Sequence, residues 1–76
     1  MNLGELPIGG SGTVSRVDGA RPFRRRLLEL GLTPGTKIEV LRVAPLGDPI
    51  ELLVRGYRLS LRREDARLVA VNRSRE

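Results

Sequence analysis

The chain has no cysteine and no histidine. The first absence removes disulfides and thiolate metal sites, so a small core must hold the fold unaided, a composition suited to a reducing compartment. The second removes the side chain that most often moves protons near neutral pH, and it leaves the hydroxyl groups without an imidazole to activate them. Tryptophan is also missing, and Phe23 and Tyr57 are the only aromatics, too few for a surface that stacks nucleobases. No apolar run nears the roughly 18 residues of a membrane-spanning helix, and Met1 to Glu5 carries no basic stretch leading into an apolar one. Together these gaps point to a soluble, cytoplasmic, non-enzymatic protein that needs no cofactor.

Lysine is nearly absent as well. Of 14 basic residues only Lys37 is lysine, and against nine acidic residues the net charge is +5. Cationic domains gain affinity for phosphates through counterion release, but these arginines are spread along the whole sequence, and a GC-rich coding region would produce the same skew. With 76 residues the chain supports one domain, which at this size buries only about 60% of the surface its unfolded form exposes. Residues 1–72 are read as that domain and 73–76 as a frayed tail.

What is present is concentrated between Arg21 and Gly35. Pro22 suits a first helical turn, and Phe23, Leu27 and Leu30 recur at i, i+4 and i+7 as one apolar stripe. Gly31 stands where a left-handed residue closes a helix, Leu32 can fold back on Leu27, and Pro34 forbids continuation, so the helix ends near Leu30. Arg24, Arg25 and Arg26 fall in the first turn, where the helix dipole is positive and each exposed cation costs roughly 0.3–1 kcal/mol. Arg25, Leu28 and Glu29 point away from the stripe, which puts an apolar side chain among cations on the solvent side. That mixture suits a docking surface. The competing reading is that arginine is a good helix former and that a loop covers Leu28.

Around this helix the chain reads as strand and turn. Gly9 to Gly12 forms a flexible turn before a strand from Thr13 to Val17, in which Val14 and Val17 are three apart and demand a bulge or bend. From Thr36 to Val43 a second strand turns Ile38 and Val40 to one face, and its alternation slips after Val40. Ile50 to Arg55 points Ile50, Leu52 and Val54 inward, and Tyr57 to Arg62 points Tyr57, Leu59 and Leu61 inward, with Gly56 making the tight turn between them. Arg63 to Ala66 is one helical turn, and Leu68 to Val71 is a closing strand. Five or six short antiparallel strands with one short α-helix predict a mainly β, SH3-like barrel, closed so that no edge is exposed, with the helix plugging one end.

One loop stands out. Pro45 and Pro49 hold Ala44 and Asp48 extended, so the turn through Leu46 and Gly47 is stiff, and Leu46 at its tip would be an apolar anchor that loses little entropy on binding. The alternative is a hairpin connection whose prolines only secure register. Catalytic and metal chemistry find no support. Gly9 to Thr13 lacks the Gly-Lys-Ser/Thr ending of a phosphate loop and precedes a strand, Glu64 and Asp65 are adjacent and diverge, and Asp48, Glu51 and Glu39 are scattered carboxylates that suit no ferrous site.

The stretches Arg25-Arg26-Leu27-Leu28-Glu29-Leu30-Gly31-Leu32-Thr33-Pro34-Gly35-Thr36, Ala44-Pro45-Leu46-Gly47-Asp48-Pro49-Ile50 and Leu59-Ser60-Leu61-Arg62-Arg63-Glu64-Asp65-Ala66, with Leu3 and Leu6 before the glycine turn, resemble the FeoA family over nearly the whole chain. The resemblance implies a small cytosolic partner of the FeoB-type ferrous iron transporter, with an SH3-like fold similar to the module that ends DtxR-type metal-dependent repressors. A free chain of this length favours the stand-alone form. The expected contact surface joins Arg24, Arg25 and Leu28 of the helix to Pro45, Leu46 and Asp48 of the loop, with the leucines as anchors and the arginines steering by charge. Such a protein reaches the membrane only through its partner, and nucleic acid is not expected. Two alternatives stand beside it: an SH3-like nucleic-acid-binding module using Arg24, Arg25, Arg58 and Arg62, with steep salt dependence, and a self-associating scaffold that forms a homo-oligomer.

Overall fold

Both positions at which the sequence alternation slips are places where the strand ladders shift register. In a computed structural model, which describes residues 1–74, β1 (Ser11–Val17) pairs with β5 (Val69–Arg73) with a shift between Val14 and Arg16. The extra residue lets Val14 and Val17 both face the core, where they are 1% and 7% exposed. Likewise β2 (Lys37–Val43) pairs with β3 (Ile50–Val54) with a shift between Val40 and Arg42. These bends curl one five-stranded antiparallel sheet, ordered β4-β3-β2-β1-β5, into a body measuring 29 × 28 × 23 Å. β1 is the strand around which it curls: Ser11 to Thr13 pair with β2 while Gly12 to Val17 pair with β5.

The helix α1 (Arg21–Glu29) stops as its sequence demands. Gly31 adopts φ +104°, the N–H of Leu32 donates to the Leu27 carbonyl at 3.1 Å, and that of Gly31 donates to Leu28 at 3.0 Å, the paired bonds of a Schellman cap. Leu27 and Leu32 are fully buried beside each other in the core, with Phe23 and Leu30 packed at its margin. The core is otherwise strand-borne, from Ile38, Val40, Ile50, Leu52, Val54, Leu61, Val69 and Val71, each contributing about 1.5–3 kcal/mol by burial.

β3 and β4 (Tyr57–Leu61) are joined by Arg55 and Gly56, both left-handed at φ 49° and 84°, the geometry of a two-residue type I′ hairpin. Arg55 tolerates that conformation because its guanidinium is tied down: Nη2 donates to Thr33 Oγ1 and Thr36 Oγ1, both at 3.0 Å.

Four expectations are corrected. Tyr57 does not point inward. It is 41% exposed, and its hydroxyl donates to the Leu30 carbonyl, so the ring lies across the end of α1. The ladder does not close, since β4 and β5 are the outer strands and do not pair. The helical turn α2 (Arg63–Ala66) crosses between them and packs on an N-terminal 3-10 turn (Leu3–Glu5), so helix caps the gap that hydrogen bonds leave. Ser11 and Gly12 belong to β1, because the glycine turn closes earlier, with the Gly10 N–H on the Pro7 carbonyl at 2.8 Å. Finally, Arg73 is paired with Gly12 in β5, and the Ser74 N–H reaches the Ser11 carbonyl at 2.9 Å. The rest of the expected frayed tail, residues 75–76, lies outside the described residues.

Candidate functional site

The loop between β2 and β3 is built as its prolines suggest. The Gly47 N–H donates to the Ala44 carbonyl at 2.7 Å and the Ala44 N–H to the Pro49 carbonyl at 3.0 Å, which closes the turn and fixes its base. Pro45 is exposed, and Leu46 at the tip is 98% exposed. A side chain so fully in water makes no contribution to the core, so its apolar character is free for a partner.

Asp48 has a different occupation. Its Oδ1 accepts the Arg63 backbone N–H at 3.0 Å, one of the donors that a helix start leaves unpaired. Arg63 returns the contact, donating from Nε to the Gly47 carbonyl at 2.9 Å and from Nη1 to the Gly4 carbonyl at 2.9 Å. One arginine thus holds together the loop, α2 and the 3-10 turn. An open depression beside it is lined by Pro49 and the charged side chains of Asp48, Arg62, Arg63, Glu64 and Arg67.

Arg24, Arg25 and Leu28 lie elsewhere. The carboxyl end of α1 meets the β3–β4 hairpin through Tyr57 and Leu30, whereas the loop precedes Ile50 at the other end of β3. The five residues of β3 separate these ends by roughly 15 Å. The structure therefore does not bring the six residues together: Arg24, Arg25 and Leu28 form one cluster, and Pro45, Leu46 and Asp48 another. Leu28 is 37% exposed, and no ion pair involves Arg24 or Arg25 among the described residues. Arg26 is placed over the Phe23 ring, 5.7 Å from its centroid. Of the arginines in the nucleic-acid reading, Arg58 lies on β4 and Arg62 beside Glu64 at 3.9 Å, not on the α1 face.

The remaining electrostatics are local. Arg16 Nε meets Asp18 Oδ1 at 2.8 Å, and this hydrogen bond, with the carboxylate charge, raises the guanidinium above its ordinary value. Glu51 pairs with Arg42 at 3.2 Å, so it is no free ligand. Among the described residues no three of His, Cys, Asp and Glu gather where they could share a metal ion. No helix of the described residues is long and apolar enough to cross a membrane. No local sequence signal marks the roles of Arg63, Arg55 or the Tyr57 hydroxyl, whose partners lie 16 to 59, 19 to 22 and 27 residues away.

Residues 1–73 match the model of the FeoA domain. A Porphyromonas gingivalis Fe(2+) transport protein A/Fe(2+) transporter FeoB fusion protein is 44% identical over 71 residues, which cover 93% of this chain and 8% of that protein, so the chain spans less than a tenth of that relative. The solution structure of Chlorobium tepidum FeoA superposes with a TM-score of 0.90 at 45% identity, covering 96% of this chain and 70% of that one. Stenotrophomonas maltophilia FeoA, solved with zinc and described as a prokaryotic SH3 domain protein, superposes with a TM-score of 0.83 at 33% identity over 95% of this chain and 89% of that one. A manganese-dependent transcriptional repressor shares the fold alone, with a TM-score of 0.86 at 22% identity over 96% of this chain and 40% of that one. With a curled five-stranded sheet, a capped helix and a family match spanning almost every residue, this chain belongs to the FeoA domain family.

Proposed function

We propose that the chain is a non-enzymatic accessory protein of ferrous iron transport, acting in the cytoplasm by binding the cytosolic part of a FeoB-type transporter and altering its assembly or gating. The observation that carries this reading is the fusion relative, in which a closely similar 71-residue stretch shares one polypeptide with an Fe(2+) transporter. Domains fused in one chain work at high effective concentration, which favours a contact between them. The absence of cysteine and histidine supports a binding role over a chemical one.

The docking residues in this reading are Arg24, Arg25 and Leu28 at the α1 end and Pro45 and Leu46 at the loop end, with Asp48 holding the loop in its pose. Because these lie at opposite ends of β3, the partner engages two separated patches, either with two segments or with one that spans the barrel. Leu28→Gln and Leu46→Gln, each folded by circular dichroism, are expected to weaken binding to the purified cytosolic domain by about tenfold, a loss of roughly 1.4 kcal/mol of apolar contact. At this separation the double variant should show the product of the two effects. Isothermal titration measures all three, and wild-type affinity in both folded variants discards these patches.

A further inference from the structure

The two outer strands of the sheet are treated differently. The edge of β5 is covered by the chain's own start: Asn2 bridges Ala70, and the Val71 N–H donates to the Met1 carbonyl at 2.9 Å. The edge of β4 has no such cover. Its pairing with β3 runs unbroken from Val54↔Tyr57 to Ile50↔Leu61, without bulge or proline. A two-residue hairpin makes Val54 and Tyr57 the first pair to exchange both hydrogen bonds, so Leu59 and Leu61 follow as bonded positions and the backbone groups of Arg58 and Ser60 point outward. Among the described residues neither has a backbone partner on that side, and both side chains are exposed. Bare edges of this kind are templates for another strand.

We propose that this edge pairs with a second copy of the chain, β4 against β4 antiparallel about a two-fold axis at Leu59. Three antiparallel registers match the outward groups. Centring on Arg58 sets that arginine against itself, and centring on Ser60 sets Arg58 against Arg62 of the other copy, whose backbone is also extended. Like charges directly opposite are unfavourable in a sheet. Centring on Leu59 instead sets Arg58 against Ser60 and Ser60 against Arg58, and it uses all four outward N–H and C=O pairs. The same surface patch serves both copies, as a closed two-fold interface requires. A contact of five residues per strand is small, so the dimer is weak and reversible.

Amide exchange by NMR, followed from dilute to millimolar protein alongside sedimentation, tests this. The amides of Arg58 and Ser60 should become protected as concentration rises, while those of Leu59 and Leu61 stay protected throughout. Ser60→Glu places a carboxylate opposite each Arg58 and should tighten the dimer at low salt, whereas Ser60→Arg should loosen it, each by roughly 2- to 30-fold from two cross-strand pairs. Ser15→Glu and Ser15→Arg, which change net charge the same way on exposed β1, should move the constant less. A monomer at every concentration, a dimer whose Arg58 and Ser60 amides stay unprotected, or equal shifts from both Ser60 variants would each overturn the proposal.

Discussion

Arg55 shows how a single residue can carry a cost and its remedy together. A side chain in the left-handed region costs roughly 1–2 kcal/mol, and here two threonine hydroxyls hold the guanidinium that sits there. Those hydroxyls also meet each other at 2.8 Å, and Thr36 is buried, so the network fastens the hairpin to the connection that follows α1. Arg55→Ala keeps the backbone strain and deletes both bonds, and is expected to lower stability by roughly 1–3 kcal/mol. Arg55→Gly deletes the same bonds and removes the strain, so it should be the milder change by about 1 kcal/mol. Urea midpoints of the two variants decide it, and equal losses would show that the left-handed turn carries no strain.

At the scale of an element, α2 is the clearest case of structure supplied from outside. Four residues cannot form a stable helix alone, and this one is held by Asp48 at its first N–H and by Arg63 reaching two carbonyls. Arg63→Ala is expected to cost roughly 2–3 kcal/mol in urea unfolding and to speed amide exchange in the loop and the 3-10 turn. Asp48→Asn keeps an acceptor and should cost less than Asp48→Ala, which should lose roughly 0.5–2 kcal/mol. An Asp48→Ala variant with native stability and weakened transporter binding would instead place the carboxylate in the contact itself. The contrast with α1 explains what was legible in the sequence. Its stop rests on Gly31, Leu32 and Pro34 within a few residues, and the two bulges announce themselves as broken alternation, so local pattern sufficed. The Arg63 contacts, the outward Tyr57 and the distance between Leu28 and Leu46 depend on residues far apart in the chain. Pattern could therefore nominate the two docking patches as exposed and apolar but could not say that they face different ends.

For the molecule as a whole, the sheet resolves the edge problem by helix rather than by strand. A closing β4–β5 ladder would have left no backbone free; instead α2 and the 3-10 turn cover the gap on the core side and β4 keeps its outer groups. The chain's start lies along β5 with Met1 on Val71, and Ser74, three residues further on, directly follows the last residue of that strand. Met1 and Ser74 are therefore within roughly 10 Å. That proximity makes the fold a candidate for rewiring: joining Ser74 to Met1 through a short flexible bridge and opening the backbone at Leu46–Gly47 should give a circular permutant with the same spectrum and a melting temperature within several degrees of the parent. Failure of the permutant to fold would mean that the proline turn organises assembly of the sheet, not merely its connection. Success would mean that a host protein could carry this module as an insertion in one of its loops, entering and leaving at one spot.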